Sequence, residues 1–370
     1  MSLLFTPFTF HAPSGPLTLP NRIVIAPMCQ YSADNGQATD WHLTHWTNLL
    51  NSGAGLFTIE ATAVSAVGRI SPGCLGLWDD ATQAALGDKL ERARRLAPAM
   101  PVCIQISHAG RKASSACPWD GGMLIAPADG GWQPVAPSAL PHLPQEAAPT
   151  ELSLADIAQI KADFVNTARR SHELGIEAVE LHAAHGYLLH QFLSPISNQR
   201  TDAYGGSIEN RTRLTLEIAD AVAGAVGADR TGIRLSPYGI ANDSSEAEPM
   251  PLFNYLVGEL AKRKLAYLHL IEPRASGTGQ ADVFRDDQPS TAAIFRPVWP
   301  TTIIDAGGFT RANAFEAVAD GRADAVAFGR FFISNPDLVR RIAEDIPFTP
   351  YHRPTFYGGA EKGYTDYPFA

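Results

Sequence analysis

Cysteine is scarce in this chain. Four thiols in 370 residues stand at positions 29, 74, 103 and 117. None forms a C-x-x-C pair, which argues against zinc ribbons and iron–sulfur clusters and fits a reduced, cytoplasmic protein. No apolar run approaches the ~20 residues of a membrane span. The opening Met1-Ser2-Leu3-Leu4-Phe5-Thr6-Pro7 has no basic stretch leading into an apolar one, as a secretion signal would, so the chain is expected to be soluble. Positive charge is also short: 29 Lys and Arg stand against 38 Asp and Glu, a net −9 at pH 7. The basic residues are scattered, which argues against a nucleic-acid or membrane partner.

What the chain does have is short β-branched runs alternating with longer amphipathic stretches. The runs cover 22–28, 55–62, 102–108, 178–182, 232–237, 267–272, 301–307 and 324–329. Helical patterns lie between them at 40–51, 80–96, 154–174, 208–226, 252–264, 290–298, 312–319 and 336–345. Thr310 and Asn335 are N-cap candidates, and Gly175 is placed as a C-cap. Eight such units predict an α/β fold, a (β/α)8 TIM barrel forming one domain over residues 1–370. Two segments interrupt the repeat: Gly110 to Thr150 after strand three and Tyr238 to Pro251 after strand five. Both leave the C-terminal ends of strands, where barrels place their chemistry, and are expected to form an active-site rim. Residues Tyr351 to Ala370 carry four tyrosines and little helical signal, as a tail over the barrel mouth would.

The chemistry concentrates in His182-Ala183-Ala184-His185-Gly186-Tyr187. Two imidazoles and a phenol at that spacing can hold a carbonyl oxygen and deliver a proton. The H-x-x-H spacing also suits a metal, although no third carboxylate or thiolate stands beside it. His42 and His45 repeat the spacing between Trp41 and Trp46, where packing is the better explanation. Polar residues close other apolar runs as well: Cys29, Gln105 with His108, Arg234, Glu272 and Arg330. In a barrel these converge on one face. Arg234 is either a buried partner for Glu60, Glu180 or Glu272, or a fixed positive charge for a flat anionic ligand. Asp305-Ala306-Gly307-Gly308 and Ala327-Phe328-Gly329-Arg330 end strands seven and eight, a placement that favours phosphate held by backbone N–H groups.

In this order and at barrel-compatible spacing, the motifs resemble the Old Yellow Enzyme family of flavin-dependent ene-reductases along essentially the whole chain. The stretches that carry the resemblance are Asn21 to Cys29, Gly55 to Ala61, Gln105 to Arg111, His182 to Tyr187, Asn198 to Ser207 with Asn210-Arg211, and the two phosphate loops. The resemblance implies FMN, bound noncovalently at the barrel mouth. Pro27, Met28, Cys29 and Ala61 would line its ring, Gln105 would bond the pyrimidine edge, and Arg234 would face N1 and the C2 carbonyl. Ala306, Gly307, Gly308, Gly329 and Arg330 would hold the phosphate. The resemblance further implies NADPH or NADH as reductant, passing hydride to flavin N5, and activated alkenes (enones, enals, maleimides, nitro compounds) as small-molecule substrates in the same pocket. His182 and His185 would donate to the substrate oxygen, and Tyr187 would protonate carbon as a phenol of ordinary pKa near ~10 can. Arg111, Lys112 and Arg274 are candidates for choosing between the two nicotinamides.

Within the family the two halves of the chain point different ways. Pro27 to Tyr31 and Gly110 to Ser115 resemble the thermophilic-like branch, which carries cysteine near the flavin. Arg234 to Gly239, Glu272-Pro273-Arg274 and Tyr364 to Phe369 resemble the mainstream branch. On that basis Cys29 would tune the flavin potential, its alternative being a small buried hydrophobe. Tyr31 would contact substrate, and Tyr357 would approach it from the tail. The first branch completes its pocket from a neighbouring subunit and the second within one chain, so monomer and homodimer both stand. A flavin store would need no proton donor, and a Schiff-base lyase or aldolase would want a strand lysine, which no predicted strand contains.

Overall fold

The computed structural model describes residues 2–10, 17–244, 246–275, 288–356, 358 and 360–370. Eight parallel strands close into a barrel in sequence order: β1 (Ile23–Ile25), β2 (Leu56–Ala63), β3 (Val102–Ser107), β4 (Ala178–Ala183), β5 (Thr231–Leu235), β6 (Tyr267–Ile271), β7 (Thr302–Ala306) and β8 (Ala325–Phe328). The seam is made by β8 against β1, with Val326 opposite Ile23. Each predicted run overlaps its strand, but several stop early. The first leaves the ladder after Ile25, because Pro27 has no N–H to donate, and Pro27 to Cys29 become wall rather than sheet.

Helices on the outside bury apolar stripes against the strands. Leu154–Glu173, for example, turns Ile157, Ile160, Phe164 and Ala168 inward and starts on Ser153, whose side chain accepts from Asp156 N. Thr310 caps Arg311–Ala319 as expected, accepting from Asn313 N, and Gly175 follows its helix at φ +68°. Asn335 is not an N-cap. Its Nδ2 donates to Phe331 O and its Oδ1 accepts from Thr349 N, so it closes the short helix Arg330–Ser334, and Asp337 precedes Leu338–Glu344 instead. The predicted helix 252–264 lies two residues earlier, at Met250–Ala261, and that at 290–298 shrinks to Thr291–Phe295.

Elements absent from the sequence reading are short. A hairpin of Phe8–Phe10 and Leu17–Leu19 closes the barrel floor, with the Phe10 ring 5.7 Å from that of Tyr267. The helix Leu188–Leu193 follows β4. The excursion after β3 carries 3-10 turns and the two-residue pairing of Val135–Ala136 with Thr150–Glu151. Arg200 braces it, donating to Pro137 O at 2.9 Å and to Leu152 O at 2.6 Å; the 198–211 motif thus holds the rim in place. The tail folds over the mouth, and Gln30 Nε2 donates to Tyr364 OH at 2.7 Å.

Candidate active site

Strand alternation explains why the polar residues meet. Ile104, Val179, Leu181, Ile233, Leu235, Leu268 and Leu270 belong to the core shared with the helices, so their neighbours Gln105, Glu180, His182, Arg234 and His269 turn inward. Glu180 is the hub: its Oε1 accepts from Gln105 Nε2 at 2.7 Å, and its Oε2 lies 2.8 Å from His269 Nδ1. Burial by itself would raise the Glu180 carboxyl, but His269, Arg234 and the Gln105 bond outweigh it and hold the pKa at about 2. Burial lowers the His269 pKa, so a carboxylate accepts from a neutral imidazole, and Arg234 supplies the compensating charge. Of the three carboxylates open to Arg234 in the sequence, Glu180 is the one it faces. Glu60 instead accepts from Gln30 N at 2.8 Å, and Glu272 accepts from Ala292 N at 3.2 Å, at the start of its helix.

A cavity of about 490 Å³ opens at the C-terminal ends of the strands, within the ~300–1,000 Å³ usual for cofactor sites. Pro27, Met28, Cys29, Tyr31, Ala61, Gln105, His182, His185, Tyr187, Arg234, Ala306, Gly307, Gly308, Gly329 and Arg330 all line it. Tyr357 lies outside the described residues. His108 is absent from the lining; its Nδ1 accepts from Gly110 N at 3.0 Å and shapes the turn after β3. His42 and His45 are buried in packing, with the His42 ring 5.4 Å from that of Trp46.

The His185 ring lies 5.6 Å from that of His182, and the Tyr187 ring 5.0 Å from it. Burial, reinforced by the Arg234 charge, lowers His182 to about 3 and drives His185 well below its ordinary value. Both imidazoles are neutral at pH 7, and each offers one N–H. Among the described residues no cluster of His, Cys, Asp and Glu could hold a metal, so the H-x-x-H pair finds no third ligand. Burial, with Cys74 and Glu60 nearby, pushes the Cys29 thiol well above its ordinary range; at neutral pH it is a thiol, not a thiolate.

Residues the sequence did not single out aim these groups. His185 sits at φ +56°, its N–H donating to Ser236 Oγ at 2.9 Å and its carbonyl accepting from Asn242 Nδ2 at 2.8 Å. A Cβ on the next residue, Gly186, would fall 2.5 Å from Ala241 O, which explains the glycine. Gln191 Nε2 bridges Gly186 O at 2.8 Å and Ala109 O at 3.0 Å, tying the motif to the turn after β3. Such contacts join segments far apart in the chain and leave no local pattern. Phe356 and Tyr364 bring the tail into the lining.

The site suits a flat anionic ligand with a phosphate. Arg234 Nε is buried with no hydrogen-bond partner among the described residues. Gly307, at φ +111°, has no room for a side chain, since a Cβ there would meet Ala275 Cβ at 2.9 Å, and it lines the cavity with its backbone. These are the features FMN requires.

Residues 3–348 match the NADH:flavin oxidoreductase / NADH oxidase family. The chain is 36% identical to 12-oxophytodienoate reductase 2 of Arabidopsis thaliana, over 99% of this chain and 95% of that protein. The structure of morphinone reductase in complex with tetrahydroNAD is similar at a TM-score of 0.83 and 34% identity, covering 99% of this chain and 97% of that one. The old yellow enzyme homologue from Zymomonas mobilis is similar at a TM-score of 0.83 and 31% identity over 99% of each chain.

Proposed function

The chain belongs to the NADH:flavin oxidoreductase / NADH oxidase family, as an Old Yellow Enzyme, and from that premise we propose that it reduces the C=C bond of enones, enals, maleimides and nitro compounds with NAD(P)H. FMN is the cofactor, and when bound it supplies the hydride for the alkene carbon. The ring would rest on Pro27, Met28, Cys29 and Ala61, with Gln105 and Arg234 at its polar edge. Ala306, Gly307, Gly308, Gly329 and Arg330 would hold the phosphate.

The observation that carries the reading is the unpartnered, buried Arg234 Nε on the wall of the cavity that His182, His185 and Tyr187 also line. His182 and His185, both neutral, donate their N–H groups to the substrate oxygen and stabilise the negative charge that grows on it. Burial of the His182 ring, with His185 partly buried beside it, limits water there and strengthens those bonds. Tyr187, within ring contact of His182, gives its phenolic proton to the neighbouring carbon. Cys29, held as a thiol, tunes the ring rather than attacking it, and Tyr31 contacts the substrate at the rim.

Phe356 and Tyr364 of the same chain complete the cavity wall, which supports a pocket closed within one subunit, whether the protein is a monomer or a homodimer. Four free thiols fit a cytoplasmic location. No helix among the described residues is long and apolar enough to cross a membrane.

The test is direct. Purified protein should be yellow, lose its colour anaerobically with NADPH or NADH, and regain it with 2-cyclohexenone. A colourless protein that fails to take up added FMN would sink the reading.

A further inference from the structure

The excursion after β3 gives the cavity a wall that the reading above does not use. Ala116, Pro118, Gly122 and Met123 lie on it, with Lys112 and His142. The segment folds back on itself through the Ser115–Leu124 bridge and a 2.7 Å bond from Ala116 N to Met123 O. The three basic residues singled out in the sequence part company here. Arg111 donates to the carbonyls of Pro141 and Asn242, each at 3.3 Å, and of Asp243 at 3.0 Å. Arg274 donates to Gly307 O at 2.7 Å and lies over the Phe309 ring. Lys112 remains on the cavity wall.

Lys112 Nζ donates to Ser115 Oγ and to Gly122 O, each at 2.8 Å. Both acceptors are neutral, and an ammonium carries three donors, so one is left over. Among the described residues no carboxylate forms an ion pair with it; the nearby negative charge is Glu146. That carboxylate is engaged elsewhere, accepting from Leu124 N at 3.0 Å and standing 3.4 Å from His142 Nδ1. A half-buried ammonium with neutral acceptors and a spare N–H is under-compensated. It lines the same cavity as the substrate-facing histidines.

We infer that Lys112 forms an anion subsite that takes the carboxylate or phosphate oxygens of a ligand whose other end meets His182 and His185. The inference rests on the ene-reductase reading for that other end. Two sources carry such oxygens: an alkene with a carboxylate on a side chain remote from its C=C bond, or NADPH through its 2′-phosphate.

The experiment uses the flavin-loaded full chain as parent, Lys112→Met and Lys112→Arg. KM is measured for cyclohexenones bearing a terminal carboxylate on alkyl chains of graded length, for their methyl esters, and for NADPH and NADH. A lost charge-assisted hydrogen bond should move KM about ten-fold. In Lys112→Met, the acid-to-ester KM ratio rising about ten-fold places the alkene carboxylate at Lys112; the NADPH-to-NADH ratio rising instead places the 2′-phosphate there. In either case Lys112→Arg should keep most of the parent's preference. Equal increases for acid and ester and for both nicotinamides would make Lys112 a wall-building residue and overturn the inference, as would ratios that do not move. If the parent turns over no cyclohexenone at all, the ene-reductase reading falls and takes the subsite with it. If turnover proceeds with flat ratios, the subsite alone falls.

Discussion

The backbone N–H of His185 donates to Ser236 Oγ at 2.9 Å, bridging the ends of β4 and β5, and the bond holds a non-glycine residue at φ +56°. That conformation costs a residue with a Cβ about 1–2 kcal/mol, which this bond and the one from Asn242 Nδ2 help to offset. Ser236 is fully buried, so Ser236→Ala leaves an N–H unpaired in the interior, at about 1–3 kcal/mol. The expected result is a lower thermal midpoint together with a several-fold higher KM for cyclohexenone, because the His185 ring is no longer aimed. An unchanged KM would show that the ring's direction is set elsewhere.

Tyr187→Phe separates proton delivery from everything else in the pocket. In the proposed mechanism the phenol is needed when the alkene carbon takes up its proton, not when the nicotinamide gives up hydride. Stopped-flow measurement should therefore find the half-reaction with NAD(P)H nearly intact and the half-reaction with enone slowed ~10²-fold or more, the usual weight of general acid catalysis. Equal losses in both half-reactions would remove Tyr187 from the proton-donor role.

The barrel is legible in the sequence because parallel strands buried on both faces read as apolar runs, and long amphipathic helices separate them. The site residues are legible because each polar group interrupts such a run at its C-terminal end: Gln105, His182 and Arg234 stand out against their apolar neighbours. What was not legible shares one property. Ser236, Asn242, Gln191 and Gln30 work through contacts between distant segments, so no spacing betrays them. Helices of five or six residues, Arg330–Ser334 and Leu188–Leu193, are too short for a 3.6-residue period to show. Asn335 misled because Asn-Pro is a common helix opening, while here the carboxamide serves the helix before it.

Neutral histidines give the protein a defined acid lability. Burial holds His182 and His45 at about 3 and His108 and His190 at about 4. The ordinary value, met in the unfolded chain, is ~6.5. These folded values are depressed, so below pH ~6.5 the unfolded chain binds protons that the folded one refuses. The stability they contribute is present above that pH and lost as pH falls toward 4, by up to about 1.4 kcal/mol per unit for each group. The thermal midpoint should fall steeply between pH 6.5 and 5, whereas the rate of the enone half-reaction between pH 7 and 9 should show no histidine titration. A midpoint that stays level from pH 7 to 5 would contradict the burial argument.

Asp305 makes the opposite prediction. The carboxyl sits on β7 at 1% exposure, and its side-chain partner is the Glu272 carboxyl, to which it can donate only when protonated. Burial, with the Glu272 charge beside it, pushes its pKa well above the carboxylate range, against the weaker pull of Arg274. A raised folded pKa means that its stability contribution is whole below the unfolded value of ~3.9 and is lost as pH rises toward the folded one. Asp305→Asn keeps the shape and removes the proton dependence. The variant should match the parent near pH 4 and exceed it increasingly toward pH 8, read as a thermal midpoint gap that widens with pH. Scanning calorimetry of both proteins across that range decides the matter: a gap that is constant with pH, or that closes as pH rises, would mean that Asp305 is ionised in the folded protein and that a cation neutralises it.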